Sequence, residues 1–246
     1  MENVTRKNQL YFDFGRDYDA SLENFFFSSK NQVLKNELSE VIQSDQKKDI
    51  FISGTSGSGK TFLLNSLLNH KENVSKSNIY IDLSELDGSK DYFADLNQFD
   101  LICLDNLDKI NKEMEVQTFN LINECKDSST NLIFACNVSP SELSYLPDLV
   151  SRLKQMNYFY INEIGDEEVL GCIKFVAKKL DLDFSDDVME FISKRIRRDF
   201  YSIKKTIQDF EKFLYSEKKS QLKNQLALSL KNIKLSRLFH IQSSKF

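Results

Sequence analysis

Gly54-Thr55-Ser56-Gly57-Ser58-Gly59-Lys60-Thr61 fits G-x-x-x-x-G-K-[ST], the spacing of a loop that wraps phosphate groups. Three of the chain's 7 glycines fall in this octapeptide, where a backbone closing around an anion needs positive φ and close approach. The loop follows the apolar run DIFIS and precedes FLLNSLLNH, so it opens a helix whose first N–H groups and positive dipole end add to anion binding. In such a loop Lys60 reaches the β- and γ-phosphates and the Thr61 hydroxyl holds Mg²⁺. A Gly/Ser-rich turn without ligand is the plain alternative.

A loop of this kind needs a carboxylate on a neighbouring strand to complete the magnesium side. Asp105, at the end of DLICLD (100–105), supplies it unless it merely caps a following helix. The next position, where hydrolysing enzymes often carry a second acid, is Asn106, with Asp108 two further on. An amide takes no proton, so slow intrinsic hydrolysis is expected. Asn137 ends the apolar run NLIFACN and either orients water or contacts the γ-phosphate, or simply starts the turn into Val-Ser-Pro. Arg152, in LPDLVSRLKQ, suits an arginine finger that neutralises charge on a phosphate held by a neighbouring molecule. A local salt bridge to Asp148 is its rival reading. Arg198 opens a later helix from which it could reach back to the nucleotide's phosphates, while Arg195 and Arg197 read as solvent-facing.

The elements that must position these residues are legible as apolar runs. DIFIS (49–53), NIYIDL (78–83), DLICLD (100–105) and NLIFAC (131–136) read as buried strands, with NYFYI (157–161) a fifth. Helical patterns separate them, which argues for an α/β fold with a parallel sheet covered on both faces. Before the loop, residues 31–43 place Val33, Leu34, Leu38, Val41 and Ile42 on one helical stripe. After about residue 162 only helices are expected, over 166–181, 185–195 and 199–215, with Asp166 and Ser185 as N-caps. The boundaries that follow are 1–20 for an extended leader, 21–161 for the α/β domain, 162–235 for a small helical lid and 236–246 for a tail.

Composition narrows the class. The chain has 246 residues, 41% hydrophobic and 28% charged, which suits a folded globular protein rather than long disorder. No run approaches the length of a membrane span and MENVTRKNQL lacks the apolar core of a secretory signal, so the cytoplasm is the expected compartment. Only His70 and His240 are present, which argues against a histidine metal site or triad. Cys103, Cys136 and Cys172 sit in apolar surroundings and no C-x-x-C pair occurs. With 33 basic and 37 acidic residues the formal charge is −4, a poor footprint for a protein whose main ligand is DNA. The stretch from Ser216 is nonetheless basic, and reads as a solvated helical face or as a contact with nucleic acid or a partner.

GTSGSGKT, LICLDN, the strand ending at Asn137, LPDLVSRL and RRDFYSIKKTI, in that order, resemble the AAA+ ATPases of the initiator branch related to DnaA. The resemblance implies a P-loop AAA+ domain with a five-stranded parallel sheet and a helical lid. It makes Arg152 the arginine finger and Arg198 the second-sensor arginine, and LENFFFSSKN (22–31) the lining of an adenine pocket. Within that branch the chain is most similar to the Hda family of regulatory inactivators. It stops soon after the lid, without room for a helix-turn-helix domain, and carries no N-terminal interaction domain. It also opens with Gln9-Leu10-Tyr11-Phe12-Asp13-Phe14, similar to a sliding-clamp-binding peptide. Alternation puts Leu10, Phe12 and Phe14 on one side of an extended chain, with the Gln9 amide free to donate and accept. A leader docking on its own domain is the plain alternative. Gln225–Leu230 fits the same peptide pattern, but Leu222, Leu226, Leu230 and Ile233 share a helical stripe and read as lid core.

The resemblance implies ADP or ATP and Mg²⁺ as ligands, and DnaA and the DNA polymerase III sliding clamp (its β subunit) as partners. Docked on the clamp, such a protein presents Arg152 to ATP on DnaA and stimulates hydrolysis there. A homo-oligomer and a direct DNA contact stay open. The rivals are a free-standing AAA+ ATPase such as a helicase loader, and an adaptor whose nucleotide is only structural.

Overall fold

In a computed structural model of the chain, all five apolar runs become strands of one sheet. β1 (Ile50–Ser53), β2 (Asn78–Asp82), β3 (Leu101–Asp105), β4 (Asn131–Cys136) and β5 (Asn157–Tyr160) lie in the order β2-β3-β4-β1-β5, with every neighbouring pair parallel. The structure describes residues 20–44, 46–70 and 76–213. β1 and β3 are buried along their whole length, as a strand covered on both faces must be, and are correspondingly continuous in apolar residues. β5 forms an edge, and its Tyr158 and Tyr160 are exposed.

Parallel neighbours need crossovers, and helices supply them. α1 (Gln32–Gln43) precedes the sheet, α2 (Lys60–Asn69) joins β1 to β2, α3 (Lys112–Cys125) joins β3 to β4, and α4 (Pro147–Leu153) joins β4 to β5. Asn111 caps α3 by accepting from the Met114 amide at 2.9 Å. One apolar cluster, including Phe51, Leu104, Phe134, Met114 and Leu153, fills the space between β-strands and helices. The thiols of Cys103, Cys125, Cys136 and Cys172 are free and buried.

The stripe expected on α1 needs one correction. Leu34, Leu38, Val41 and Ile42 are buried, but Val33 is 66% exposed. It lies about 100° around the helix from Leu34, outside the face the other four define.

Beyond Glu168 the chain forms a second compact unit, from Val169 to Arg197 and again from Ser202, whereas Arg198–Tyr201 belong to the first. Within the second unit α5 (Val169–Lys179) and α6 (Asp186–Ser193) pack together, joined by a helical run that the structure describes to residue 213. Phe184 meets Phe210 edge-on at 6.0 Å. α5 starts two residues later than an N-cap at Asp166 would place it, and that carboxylate accepts from Arg198 instead of from an amide of the first turn. Ser185 does stand at the N-cap position of α6. Among the described residues no helix is long and apolar enough to cross a membrane.

Candidate functional site

The loop between β1 and α2 takes the shape its glycines allow. Gly57 and Gly59 have φ of 87° and 101°, and Gly59 is the N-cap of α2. Any Cβ on Gly59 would sit 2.4 Å from the Phe25 ring. Lys60 is buried and folds back along the loop, its Nζ donating to the Gly54 carbonyl at 2.6 Å and the Thr55 carbonyl at 3.0 Å. Burial pushes its ammonium below the usual lysine range, against the opposing pull of Asp105 and Asp108. The buried Ser58 hydroxyl has no hydrogen-bond partner among the described residues.

Thr61, exposed at the start of α2, donates from Oγ1 to Asp105 Oδ2 at 2.5 Å. The structure thus brings together the two residues expected to face a metal, 44 positions apart in sequence. Asp105 is buried at the end of β3 and also accepts from Tyr80 OH at 3.1 Å and its neighbour's amide, Asn106 N, at 2.8 Å. Burial raises its carboxyl above the ordinary range even though these three donors pull it down. A hydroxyl and a carboxylate oxygen held this close are the hard donors Mg²⁺ prefers, so the residues fit that ion.

Asn106 adopts a left-handed conformation (φ 58°), and its amide donates to Asp82 Oδ1 at 2.8 Å. Asn137, just past β4, donates to Asp108 from its backbone N at 3.2 Å and its Nδ2 at 2.9 Å. Tyr80, Asp82 and Asp108 therefore belong to the neighbourhood of Asp105 and Asn137, and sequence reasoning assigned none of them a role. Asp108 had a signal, an acid beside an expected magnesium ligand. The other two become neighbours only through β2–β3 pairing.

On the other side of the loop, aromatic rings form a wall. Phe25 packs on Phe200 at 4.5 Å and on Phe62 at 6.1 Å between centroids. Asn31 ties this leader segment to the chain after β5, donating to the Asn162 carbonyl at 3.1 Å and accepting from the Asn162 amide at 3.0 Å. Ser58, Phe25, Asn31, Ile164 and Phe200 line a small cavity here.

Arg198 also lines that cavity, but its Nε and Nη2 each lie 2.8 Å from Asp166 Oδ1. Its neighbours Asp199, whose carboxylate blocks any Cβ at Gly57, and Tyr201, whose N–H donates to the Gly57 carbonyl at 3.0 Å, do touch the loop. Arg152 occupies the last turn of α4, which is anchored by buried Leu149 and Leu153. It forms no ion pair with Asp148 or any other described residue. The buried Glu115 carboxylate steadies the entrance to α4, accepting from the Leu146 amide at 2.7 Å. Gln9, Leu10, Phe12 and Phe14 lie outside the described residues, as do Gln225–Leu230 and the basic C-terminal stretch.

Comparison with known proteins agrees with this arrangement. Residues 43–131 match the family model described as "AAA domain". An uncharacterized protein of Haemophilus influenzae is 35% identical over 195 residues, covering 75% of this chain and 82% of that one. The structure of AMPPCP-bound DnaA from Aquifex aeolicus aligns with a TM-score of 0.71 at 21% identity, over 85% of this chain and 71% of that chain. The Thermotoga maritima RuvB Holliday junction branch migration motor aligns at 0.63 and 20% identity, over 82% of this chain and 67% of that one. At these identities the two structures speak for the fold, which is the AAA+ P-loop fold. The chain and the Haemophilus protein are members of one family, and in this chain residues 43–131 carry an AAA domain.

Proposed function

We propose that the chain binds ADP or ATP with Mg²⁺ and works as an Hda-like regulator of replication initiation. Lys60 and the loop amides would hold the phosphates, with Thr61 and Asp105 on the metal. Held by Thr61 and Asp105, Mg²⁺ would supply positive charge to offset that of the phosphates. The Phe25, Phe62 and Phe200 rings are apolar surface suited to a flat purine, a reading supported by the AMPPCP carried by the DnaA of similar fold. Arg198, held by Asp166, would reach a phosphate only by leaving that ion pair.

Residues 9–14 would dock on the sliding clamp, and Arg152 would be offered to ATP on DnaA. The observation that carries this reading is Arg152 itself: a guanidinium on the last turn of a firmly anchored helix, with no ion pair to another described residue. The test is hydrolysis of DnaA-bound ATP in the presence of clamp loaded on DNA. Wild-type protein should accelerate it. Arg152→Ala should reduce the acceleration by about 10³-fold or more, the scale of a trans arginine finger. Full acceleration by Arg152→Ala would overturn the finger assignment. A Leu10→Ala/Phe12→Ala protein in the same assay should lose the acceleration that loaded clamp supports.

One observation favours the rival, a free-standing ATPase such as a helicase loader: an acid, Asp108, does stand beside Asn137. Robust turnover by the isolated protein, indifferent to clamp, would select that reading.

A further inference from the structure

By position Asn106 is the residue that would face an attacking water, yet the fold turns it away. Its left-handed backbone aims the amide at Asp82, at the end of β2. In the sheet order β2 and β1 lie on opposite sides of β3, so this bond points away from the phosphate loop that follows β1. The same turn buries Leu107 and carries Asp108 the other way, to the end of β4. β4 is the neighbour of β1, and Ser53 is in register with Cys136. Asn137, the next residue, is therefore level with Gly54, where the phosphate loop begins.

Asn137 grips the Asp108 carboxylate with two donors, and the side chain is only 16% exposed. Burial would raise this acid, but the bonds from Asn137 and the Cys136 thiol outweigh it and leave the carboxyl below its ordinary range. An ionised acceptor thus stands next to the loop, close enough for its charge to act on Lys60.

We propose that Asp108 is the catalytic carboxylate of this site, filling from two residues downstream the role that Asn106 cannot. The proposal rests on the nucleotide-binding part of the reading above. Asp108 accepts one proton from a water as that water's oxygen forms a bond to the γ-phosphorus of ATP. The bond from phosphorus to the β–γ bridging oxygen breaks, its electron pair staying on the departing ADP. The products are ADP and inorganic phosphate, and the proton leaves Asp108 to phosphate or solvent. Asn137 is the positioning residue, fixing the carboxylate's orientation.

The test uses the full chain with Mg²⁺ in three forms: wild type, Asp108→Asn and Asp108→Glu. Fluorescent N-methylanthraniloyl-ATP measures binding. Single-turnover hydrolysis measures chemistry, and retention of ADP with aluminium fluoride measures affinity for a mimic of the transferring phosphoryl group. Asp108→Asn should bind the nucleotide like wild type, hydrolyse it about 100-fold or more slowly, and fail to retain ADP–aluminium fluoride. Asp108→Glu, keeping the carboxylate, should remain within about tenfold of wild type. Hydrolysis and trapping by Asp108→Asn at the wild-type level would overturn the proposal, as would a wild-type protein that binds ATP without hydrolysing it. A wild-type protein that binds no nucleotide would instead overturn the reading beneath it.

Discussion

Gly59 is constrained from two sides, by a φ of 101° and by a ring lying where a methyl group would go. Gly59→Ala should therefore destabilise the protein by about 1–3 kcal/mol from backbone strain alone, and displace Phe25 as well. Denaturant unfolding measures the first effect. The second should appear as weaker N-methylanthraniloyl-ADP binding; a variant equal to wild type in both would show that the loop relaxes freely. At this scale the sequence was most informative where chemistry is local. GTSGSGKT states its own conformation, because the glycines, lysine and threonine act within eight consecutive residues. Tyr80 and Asp82 were silent, since nothing short of strand pairing brings them to Asp105 and Asn106. The Arg198 pairing was silent for a related reason: three clustered arginines look alike in a string, and only the fold shows this one held by Asp166.

Among the elements, buried parallel strands were easy to read because both faces are apolar and turn signals bound them. Helix starts were harder. A cap depends on which partner wins the side chain, and Asp166 is won by a guanidinium 32 residues away. The β2–β3 connection illustrates how such local competition sets protonation. Asp87 Oδ1 accepts from Tyr92 OH at 2.7 Å, Ser89 Oγ at 2.7 Å and Ser89 N at 2.9 Å. The Tyr92 bond, followed by those from Ser89, lowers this exposed carboxyl to about 2. A depressed folded-state value means the connection is steadied at pH above the ordinary carboxylate range and loses that support as pH falls through about 2. Carbon-13 NMR titration of the Asp87 carboxyl should show the low midpoint, and Tyr92→Phe should move it up toward about 4. An unchanged midpoint in Tyr92→Phe would remove the tyrosine as the cause.

For the whole molecule, the informative fact is that the first compact unit contains Arg198–Tyr201, a short piece of chain that follows the excursion Val169–Arg197. A protein ended after Glu168 retains all five strands but lacks Phe200, which packs on Phe25 and Phe62, and Tyr201, which bonds Gly57. It should bind an apolar dye that the intact chain excludes, and its affinity for N-methylanthraniloyl-ADP should fall about tenfold or more. That fall corresponds to at least about 1.4 kcal/mol. Equal affinity in the shortened protein would show that the aromatic wall does not contribute to binding.

This same arrangement has a consequence during translation. The sheet's last strand ends at Tyr160, but Tyr201 must also leave the ribosome before the loop acquires its cover. At about 5–20 residues per second, those forty-odd residues take roughly 2–8 s. For that interval the nascent polypeptide displays Phe25 and Phe62 without the ring that shields them, so a stall between residues 161 and 201 would prolong their availability to chaperones.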